Sequence, residues 1–153
     1  DVTTDIIRRS VAIKADIVSK DEKETLGIRI LLNYGHTIGH AIEVVTRYSD
    51  YLHGEAVSVG MMGAAYISNL LGLLTDEEID RQRSLLESYE LPTHASGLDK
   101  GHLLEAMKSD KKTVSGDVTW VLLKGIGNAV TRTGVPGDAV SEALNTIIIP
   151  KVN

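Results

Sequence analysis

Three of the five histidines in the sequence, His36, His40 and His53, fall close together along the chain. If His36 and His40 lie on a helix, they are one turn apart and share a face. His53 would then stand at the start of a following helix, across a connection that can fold back toward that face. Neutral imidazoles gathered in this way suit Zn²⁺ or a similar divalent ion. Histidine pairs at this spacing also occur on ordinary polar faces, so the spacing alone leaves both interpretations open.

One residue argues against a zinc protease. The HExxH motif needs a glutamate directly after its first histidine, because that glutamate acts as the general base. The corresponding position in this sequence is Thr37. We therefore do not expect hydrolysis by that route, and any metal chemistry must be of another kind.

Basic and polar residues precede the histidines along the chain. The steps from Arg29 to Asn33 to His36 predict that one helical face presents all three residues, and Lys14 lies further upstream. A guanidinium and an ammonium beside a metal would favour an anionic, oxygen-rich ligand, although the same spacing also fits a solvated charged face. A second basic cluster, which could bind phosphate or complement a helix dipole, consists of Lys108, Lys111 and Lys112.

The elements that must position these residues are mainly helices. Helical spacing of apolar residues and capping signals predict six helices: Thr4 to about Val18, Arg29 to about Arg47, His53 to Leu71, Thr75 to Leu91, about His102 to Ser109, and about Asp138 to Ile148. One convincing strand, Val118 to Leu123, is expected to pair with Val130 to Thr133. The predicted fold class is therefore mainly α, a multi-helix domain with at most a small β-hairpin near residues 118–133.

Glycines mark the places where elements are expected to approach closely. Gly35 and Gly39 lie four residues apart, so on a helix they would let another backbone or a ligand come near one face. The helix that follows His53 is rich in Gly and Ala and is expected to pack in the middle of the bundle. No strand–GxGxxG–helix pattern occurs, so the sequence predicts no dinucleotide-binding fold within this chain.

Composition narrows the classes of protein that fit. The chain has 153 residues, 42% of them hydrophobic, and a net charge of −5, which argues against a nucleic-acid partner. It contains no cysteine and hence no thiolate metal site or disulfide. No apolar run approaches the roughly 20 residues that span a bilayer. Asp1 has no preceding Met and the first helix begins almost at once, so we expect a piece of a longer protein.

Three linked motifs resemble those of 3-dehydroquinate synthases. The first is RILLNYGHTIGHAIE at Arg29–Glu43, followed by LHGEAV at Leu52–Val57. The second is the Lys14–Glu24 segment, and the third is Asp110–Lys112 before a strand. The similarity runs from about residue 5 to at least residue 127 with its spacing intact. Motifs linked in this way are far more specific than a pair of histidines alone.

The resemblance implies an enzyme of the shikimate pathway that converts 3-deoxy-arabino-heptulosonate 7-phosphate into 3-dehydroquinate and phosphate. Such enzymes use NAD, and they hold Zn²⁺ (or Co²⁺) by one Glu and two His. The residues to which the resemblance assigns roles are His36 and His53 for the metal, His40 and Lys14 for catalysis and substrate contact, Arg29 for the substrate carboxylate, Asn33 as a polar substrate ligand, and Lys111 and Lys112 for phosphate.

The chain departs from the family pattern because two features of the family are expected to lie before Asp1. The resemblance places the glutamate metal ligand and the NAD-binding domain upstream, so we expect residues 1–153 to form a single helical domain lacking both. Alone, the chain is then expected to be inactive and to bind metal weakly. The full-length enzyme is expected to be a cytoplasmic homodimer that binds a small sugar phosphate, with no nucleic acid and no membrane as partners.

Three alternatives remain open at this point. A related sugar-phosphate cyclase, such as a 2-deoxy-scyllo-inosose synthase, shares much of the same pattern, but Lys14 and Arg29 favour a substrate with a carboxylate. Glycerol-dehydrogenase-like enzymes would need no such carboxylate clamp. A helical binding domain could retain the motifs without chemistry, in which case divalent ions should have no effect on it.

Overall fold

The computed structural model of the chain describes residues 1–23, 25–109, 113–114 and 117–151. The chain divides into two compact units, Asp1–Asn33 and Tyr34–Asn153.

The first unit consists of helix α1, Val2–Lys20, and a short 3-10 helix, Arg29–Asn33. Asp1 caps α1, because its side chain accepts a hydrogen bond from the Thr3 backbone N–H at 3.2 Å. The predicted helix from Thr4 to Val18 is therefore confirmed and is two residues longer at each end.

The connection between these two helices is organised by Asp21. One carboxylate oxygen of Asp21 accepts the Leu26 N–H at 2.9 Å, and the other accepts the N–H groups of Ile28 and Arg29 at 3.0 and 3.1 Å. Only 3% of Asp21 is exposed. These hydrogen bonds, first of all the one from Leu26, hold the pKa of the carboxyl below its usual value despite the opposing effect of burial. The sequence predicted an exposed connection here and did not predict its buried carboxylate.

The prediction of one helix from Arg29 to about Arg47 is wrong. The structure contains the 3-10 helix, then a turn at Tyr34 and Gly35, and only then helix α2, His36–Val45. Gly35 has φ of 79°, in the left-handed region, so a right-handed helix cannot continue through it. The single helix that was predicted to carry Arg29, Asn33 and His36 is therefore interrupted before His36.

The second unit is mainly helical, as predicted. After α2 it contains α3, His53–Leu70; α4, Asp76–Ser88; α5, Lys100–Ser109; and α6, Gly137–Ile147. Thr75 caps α4 as predicted, since its hydroxyl accepts the Glu78 N–H and a Glu78 carboxylate oxygen accepts the Thr75 N–H. The described helices include none that is both long and apolar enough to cross a membrane.

The strands are short and pair in twos. They are β1, Ala95–Ser96; β2, Thr113–Val114; β3, Asp117–Val118; β4, Trp120–Leu123; β5, Ala129–Arg132; and β6, Ile148–Ile149. The predicted hairpin is confirmed as the antiparallel pair β4–β5. The structure also contains two strand pairs that the sequence did not predict, the antiparallel pair β2–β3 and the parallel pair β1–β6.

Helix α3 lies in the middle of the second unit, as its small residues predicted. It packs against α2, α4, α6 and β4. A side chain at Gly60 of α3 would collide with the backbone carbonyl oxygen of Gly35, and one at Gly39 of α2 would lie 3.1 Å from the Val57 α-carbon. The glycines thus allow backbone contact between α2 and α3. Around this contact lies the core, whose largest fully buried apolar side chains are Ile38, Ile42, Val59, Met62, Ile67, Leu103, Leu122, Leu144 and Ile147.

A buried polar group fixes the turn before α2. The Tyr34 hydroxyl lies 2.9 Å from Gln82 Oε1 and 3.1 Å from the Met61 carbonyl oxygen. Gln82 Nε2 donates to the same carbonyl at 3.1 Å. Burial raises the pKa of the Tyr34 hydroxyl well above its usual value, so it remains a hydrogen-bond donor. Residues of α3 and α4 therefore hold the start of α2 in place.

Candidate metal centre

The structure brings the three neighbouring histidines together. The ring centroids of His36 and His40 are 5.3 Å apart, those of His36 and His53 are 5.4 Å apart, and those of His40 and His53 are 6.0 Å apart. His36 is the first residue of α2, His40 lies one turn later, and His53 is the first residue of α3. Two helix starts and one helix face therefore converge on one site.

The local sequence explains why the helices meet here. In the connection from α2 to α3, Arg47 and Tyr48 adopt positive φ angles of 53° and 58°, which reverses the chain direction. The Glu55 carboxylate then accepts the Leu52 N–H at 2.8 Å at the start of α3. Leu52 has no side-chain acceptor, so only the glutamate half of a capping box is present. This arrangement places His53 beside α2.

Glu43 joins the histidines from the buried side of α2. Its side-chain oxygen Oε1 lies 3.0 Å from His53 Nδ1, and only 7% of Glu43 is exposed. Sequence reasoning included Glu43 in a motif but gave it no role. The available signal was its position in the otherwise apolar segment AIEVV, where a carboxylate is costly unless it has a partner.

The donor set fits a divalent metal ion. Ligand atoms of His40, Glu43 and His53 all lie within 4.8 Å of one another, and they form the one group of this kind within the described part of the chain. Imidazole nitrogens and a carboxylate oxygen are suitable ligands for Zn²⁺ and Co²⁺. The sequence predicted His36 and His53 as ligands, whereas this grouping contains His40 instead of His36. The assignment of His36 to the metal stays a prediction.

His36 nevertheless adjoins this group, and its orientation is defined. Its Nδ1 atom lies 3.2 Å from the Tyr34 carbonyl oxygen, a distance at which Nδ1–H can donate. In that tautomer Nε2 keeps its lone pair for another partner. Tyr34 is itself held by Gln82 and Met61. The buried polar group at Tyr34 thus helps to position the first histidine.

An open groove of about 630 Å³ adjoins the site within the second unit. On one side it is lined by His40, Glu43 and Tyr48, and on the other by His102 and Glu105 of α5. His40 therefore faces a space large enough for a small polar molecule. His102 is largely exposed, with 71% of its side chain accessible.

Besides His40 of α2, the predicted substrate-binding residues fall into two groups. Lys14 is exposed in α1, and Arg29 and Asn33 are half-buried in the 3-10 helix, all in the first unit. An Arg29 guanidinium nitrogen lies 3.4 Å from the Glu22 carbonyl oxygen. Lys111 and Lys112 lie outside the described residues, and their roles stay predictions.

This geometry defines a class of mainly helical proteins in which a histidine–glutamate centre lies beside an open groove. Residues 1–113 match the family described as 3-dehydroquinate synthase C-terminal. The chain therefore belongs to the 3-dehydroquinate synthase C-terminal family.

Relatives of known name agree with this assignment. The chain is 49% identical to a 3-dehydroquinate synthase of Helicobacter hepaticus, over 95% of this chain and 41% of the relative. It is 42% identical to a 3-dehydroquinate synthase of Methylacidiphilum infernorum, over 94% of this chain and 40% of the relative. The chain thus spans about two fifths of the length of these relatives.

Solved structures of sugar-phosphate cyclases have the same fold. A 2-epi-5-epi-valiolone synthase from Streptomyces hygroscopicus, with NAD⁺ and Zn²⁺ bound, matches 94% of this chain and 39% of its own, with a TM-score of 0.82 and 26% identity. A 2-deoxy-scyllo-inosose synthase complexed with carbaglucose-6-phosphate, NAD⁺ and Co²⁺ matches 89% of this chain and 40% of its own, with a TM-score of 0.73 and 25% identity.

Proposed function

We propose that this chain supplies the metal-binding and substrate-binding part of a 3-dehydroquinate synthase. The reaction converts 3-deoxy-arabino-heptulosonate 7-phosphate into 3-dehydroquinate and phosphate, which makes the enzyme a carbon–oxygen lyase of the shikimate pathway. The observation that carries the proposal is the meeting of three histidine rings and a buried glutamate in a chain of this family. Relatives named 3-dehydroquinate synthase, which match nearly the whole of this chain, support the proposal.

The histidines are proposed to hold a Zn²⁺ or Co²⁺ ion. When bound, such an ion lowers the pKa of a coordinated alcohol and polarises a carbonyl, which helps hydride transfer and the later elimination. His53 and a histidine of α2 contribute neutral imidazole nitrogens. Metal-bound relatives of the same fold support this proposal.

Residues of the first unit are proposed to hold the substrate by charge. Lys14 and Arg29 would bind the carboxylate, and Asn33 would bind a hydroxyl. His40 and the Lys111–Lys112 pair would contact the phosphate that leaves, and His40 and Lys14 would be the residues nearest the chemistry. Fixing both ends of a dianion relative to the metal would orient the reacting atoms, which lowers the barrier of steps that depend on that orientation.

The remaining assignments concern the whole enzyme. NAD is proposed as the redox cofactor, because the two cyclases of the same fold carry it. We propose a homodimer and a cytoplasmic location, as the resemblance to 3-dehydroquinate synthases implies. A test of the dimer is sedimentation of the complete enzyme, and a single monomeric species would contradict it.

A related cyclase activity is the second candidate, because two solved structures of this fold are a 2-epi-5-epi-valiolone synthase and a 2-deoxy-scyllo-inosose synthase complexed with carbaglucose-6-phosphate. The two candidate activities differ in whether the substrate carries a carboxylate. If Arg29 binds that group, Arg29→Leu should reduce kcat/KM for the heptulosonate phosphate strongly. The same change should affect a carboxylate-free sugar phosphate little.

The decisive experiment is a chimera. The matched 146 residues of the Helicobacter hepaticus relative are replaced by this chain, and phosphate release from the heptulosonate phosphate is measured with NAD and Co²⁺. We expect turnover, and we expect its loss in the same chimera with His53→Ala. His94→Ala is the matched control, since His94 lies outside the histidine cluster. A folded chimera without turnover would contradict the proposed function.

A non-catalytic helical binding domain makes the opposite prediction. Titration of the chain with Zn²⁺ or Co²⁺ should then give no heat above dilution and no change in stability. Binding that depends on His53 would instead favour the metal enzyme.

A further inference from the structure

The contact between Glu43 and His53 joins a buried group to an exposed one. Glu43 Oε1 lies 3.0 Å from His53 Nδ1, a distance typical of an N–H···O hydrogen bond. The glutamate side chain is 10% exposed, whereas 58% of the histidine side chain is accessible. The Nδ1 edge of the ring is thus directed toward the carboxylate, while much of the ring is open to solvent.

The backbone of Glu43 is fixed by the end of α2. Its carbonyl oxygen accepts the Tyr48 N–H at 2.7 Å and lies 3.3 Å from the Thr46 hydroxyl. The carboxylate therefore projects from a helix whose last turn is tied to the following connection. A buried carboxylate held in this way favours a donor at a fixed position.

A histidine can bind a metal ion only through a ring nitrogen that carries no proton. When a carboxylate accepts Nδ1–H, the other nitrogen, Nε2, keeps its lone pair. Free histidine in water favours the opposite tautomer, with the proton on Nε2. The carboxylate thus selects the form that metal binding needs.

We propose that Glu43 is a positioning residue that fixes His53 as the Nδ1–H tautomer and presents its Nε2 atom to the metal site. The role of Glu43 in metal binding rests on the proposed metal-dependent function. The tautomer of His53 can be tested without any metal. The competing role for Glu43, direct ligation of the ion, is separated from positioning by metal affinity, because the 3.0 Å contact with His53 Nδ1 could form in the metal-free protein in either case.

The first test is ¹⁵N–¹H NMR of the metal-free chain at about pH 8.5, where ordinary imidazoles are neutral. The two ring nitrogens of His53 are assigned by comparison with His53→Gln. We expect a protonated Nδ1 and an unprotonated Nε2 in the wild type. We expect a shift toward the Nε2–H form in Glu43→Ala. A wild-type His53 that already carries its proton on Nε2 overturns the proposal, whether or not any variant folds.

The chain offers a matched control for this measurement. His102 Nδ1 lies 3.8 Å from the Asp99 carboxylate, and both side chains are largely exposed. That distance is beyond a hydrogen bond. Asp99→Ala should therefore leave the His102 tautomer unchanged. An equal response at both histidines would show a general electrostatic effect and would overturn the proposed positioning role.

The second test separates positioning from ligation by Co²⁺ affinity. Glu43→Gln keeps the side-chain shape and an oxygen acceptor, so the Nδ1–H tautomer should largely persist. Loss of the charge should then weaken Co²⁺ binding by about 10–100-fold, as for other partners of metal-bound histidines. If Glu43→Gln instead abolishes Co²⁺ binding as completely as His53→Ala does, Glu43 is a ligand and the proposal fails. These affinities are measured in the chimera with the Helicobacter hepaticus relative, because the chain alone is expected to bind metal weakly. Absence of Co²⁺ binding in that chimera, with the tautomer as expected, would count against the proposed function alone.

Discussion

Gly60 on α3 faces the backbone carbonyl of Gly35 with no room for a side chain between them. A β-carbon at Gly60 would also lie 2.8 Å from the backbone nitrogen of Gly39. The two helices that carry the three histidines are therefore in direct backbone contact. Contacts between backbones cannot relax by changing a rotamer, so the spacing of the site is set by the main chain.

This contact predicts a large effect of one added methyl group. Gly60→Ala should destabilise the chain by about 1–3 kcal/mol or more, because the two helices must separate. The matched control is Gly54→Ala in the same helix, where a β-carbon would meet nothing within 4 Å. That change should be neutral or stabilise by up to about 1 kcal/mol. Urea unfolding followed by circular dichroism measures both, and equal midpoints for the two variants would contradict the prediction.

Tyr34→Phe should also destabilise the chain. The change leaves Gln82 Oε1 without its buried donor, which costs about 1–3 kcal/mol. Tyr48→Phe is the control, since Tyr48 is largely exposed, and it should change the unfolding free energy little.

The Tyr34 hydroxyl also predicts an alkaline pH dependence. Its pKa is raised by burial, so the folded chain keeps a proton that the unfolded chain releases above about pH 10. The stability that this group contributes is therefore complete below about pH 10 and is lost as pH rises further. Tyr34→Phe should show a smaller decline over that range in urea unfolding at several pH values. A parallel decline in both proteins would argue against this assignment.

Asp21 predicts a pH dependence of the opposite sign. Its carboxyl has a lowered pKa because it accepts backbone hydrogen bonds, of which the one from Leu26 is the largest cause. Its contribution to stability is therefore present above about pH 4 and is lost as pH falls further. Asp21→Asn should speed amide hydrogen exchange at Leu26, Ile28 and Arg29 at neutral pH. Asp16→Asn, which removes an exposed ion pair with Lys20, should leave those amides unchanged.

Metal ions should stabilise the chain through His53. Co²⁺ or Zn²⁺ at a hundred times its dissociation constant should add about 2.7 kcal/mol to the unfolding free energy. His53→Ala should remove most of this gain, and His94→Ala should keep it. Thermal unfolding with and without the ion gives the comparison. An equal shift in the His53 variant would place the bound ion elsewhere.

Local signals in the sequence were sufficient to predict most of the helices. The capping box at Thr75 and Glu78 marks the start of α4, because both partners lie within one turn of each other. The β-branched and aromatic residues of β4, followed by a glycine-containing turn, mark the hairpin in the same way. In each case the interaction that decides the structure lies within a few residues.

The features that the sequence did not predict depend on partners far along the chain or on a special backbone angle. The break before α2 follows from the left-handed conformation of Gly35, whereas a glycine within a helical pattern normally only weakens the helix. The parallel pair β1–β6 joins segments more than fifty residues apart, each only two residues long. The apolar neighbours of Glu43 in the sequence indicate that its carboxylate needs a partner, but only the structure shows that this partner is His53.

The late position of α6 has a consequence for synthesis of the chain on the ribosome. Gly63 of α3 lies against Ile147, close to the last strand β6, which pairs with β1. When α3 leaves the ribosome, the apolar residues that cover this face have not yet been translated. We therefore expect nascent chains that end before α6 to expose the centre of the core and to bind chaperones. On this basis, the packing of α3 against Ile147 would form only once α6 has been released.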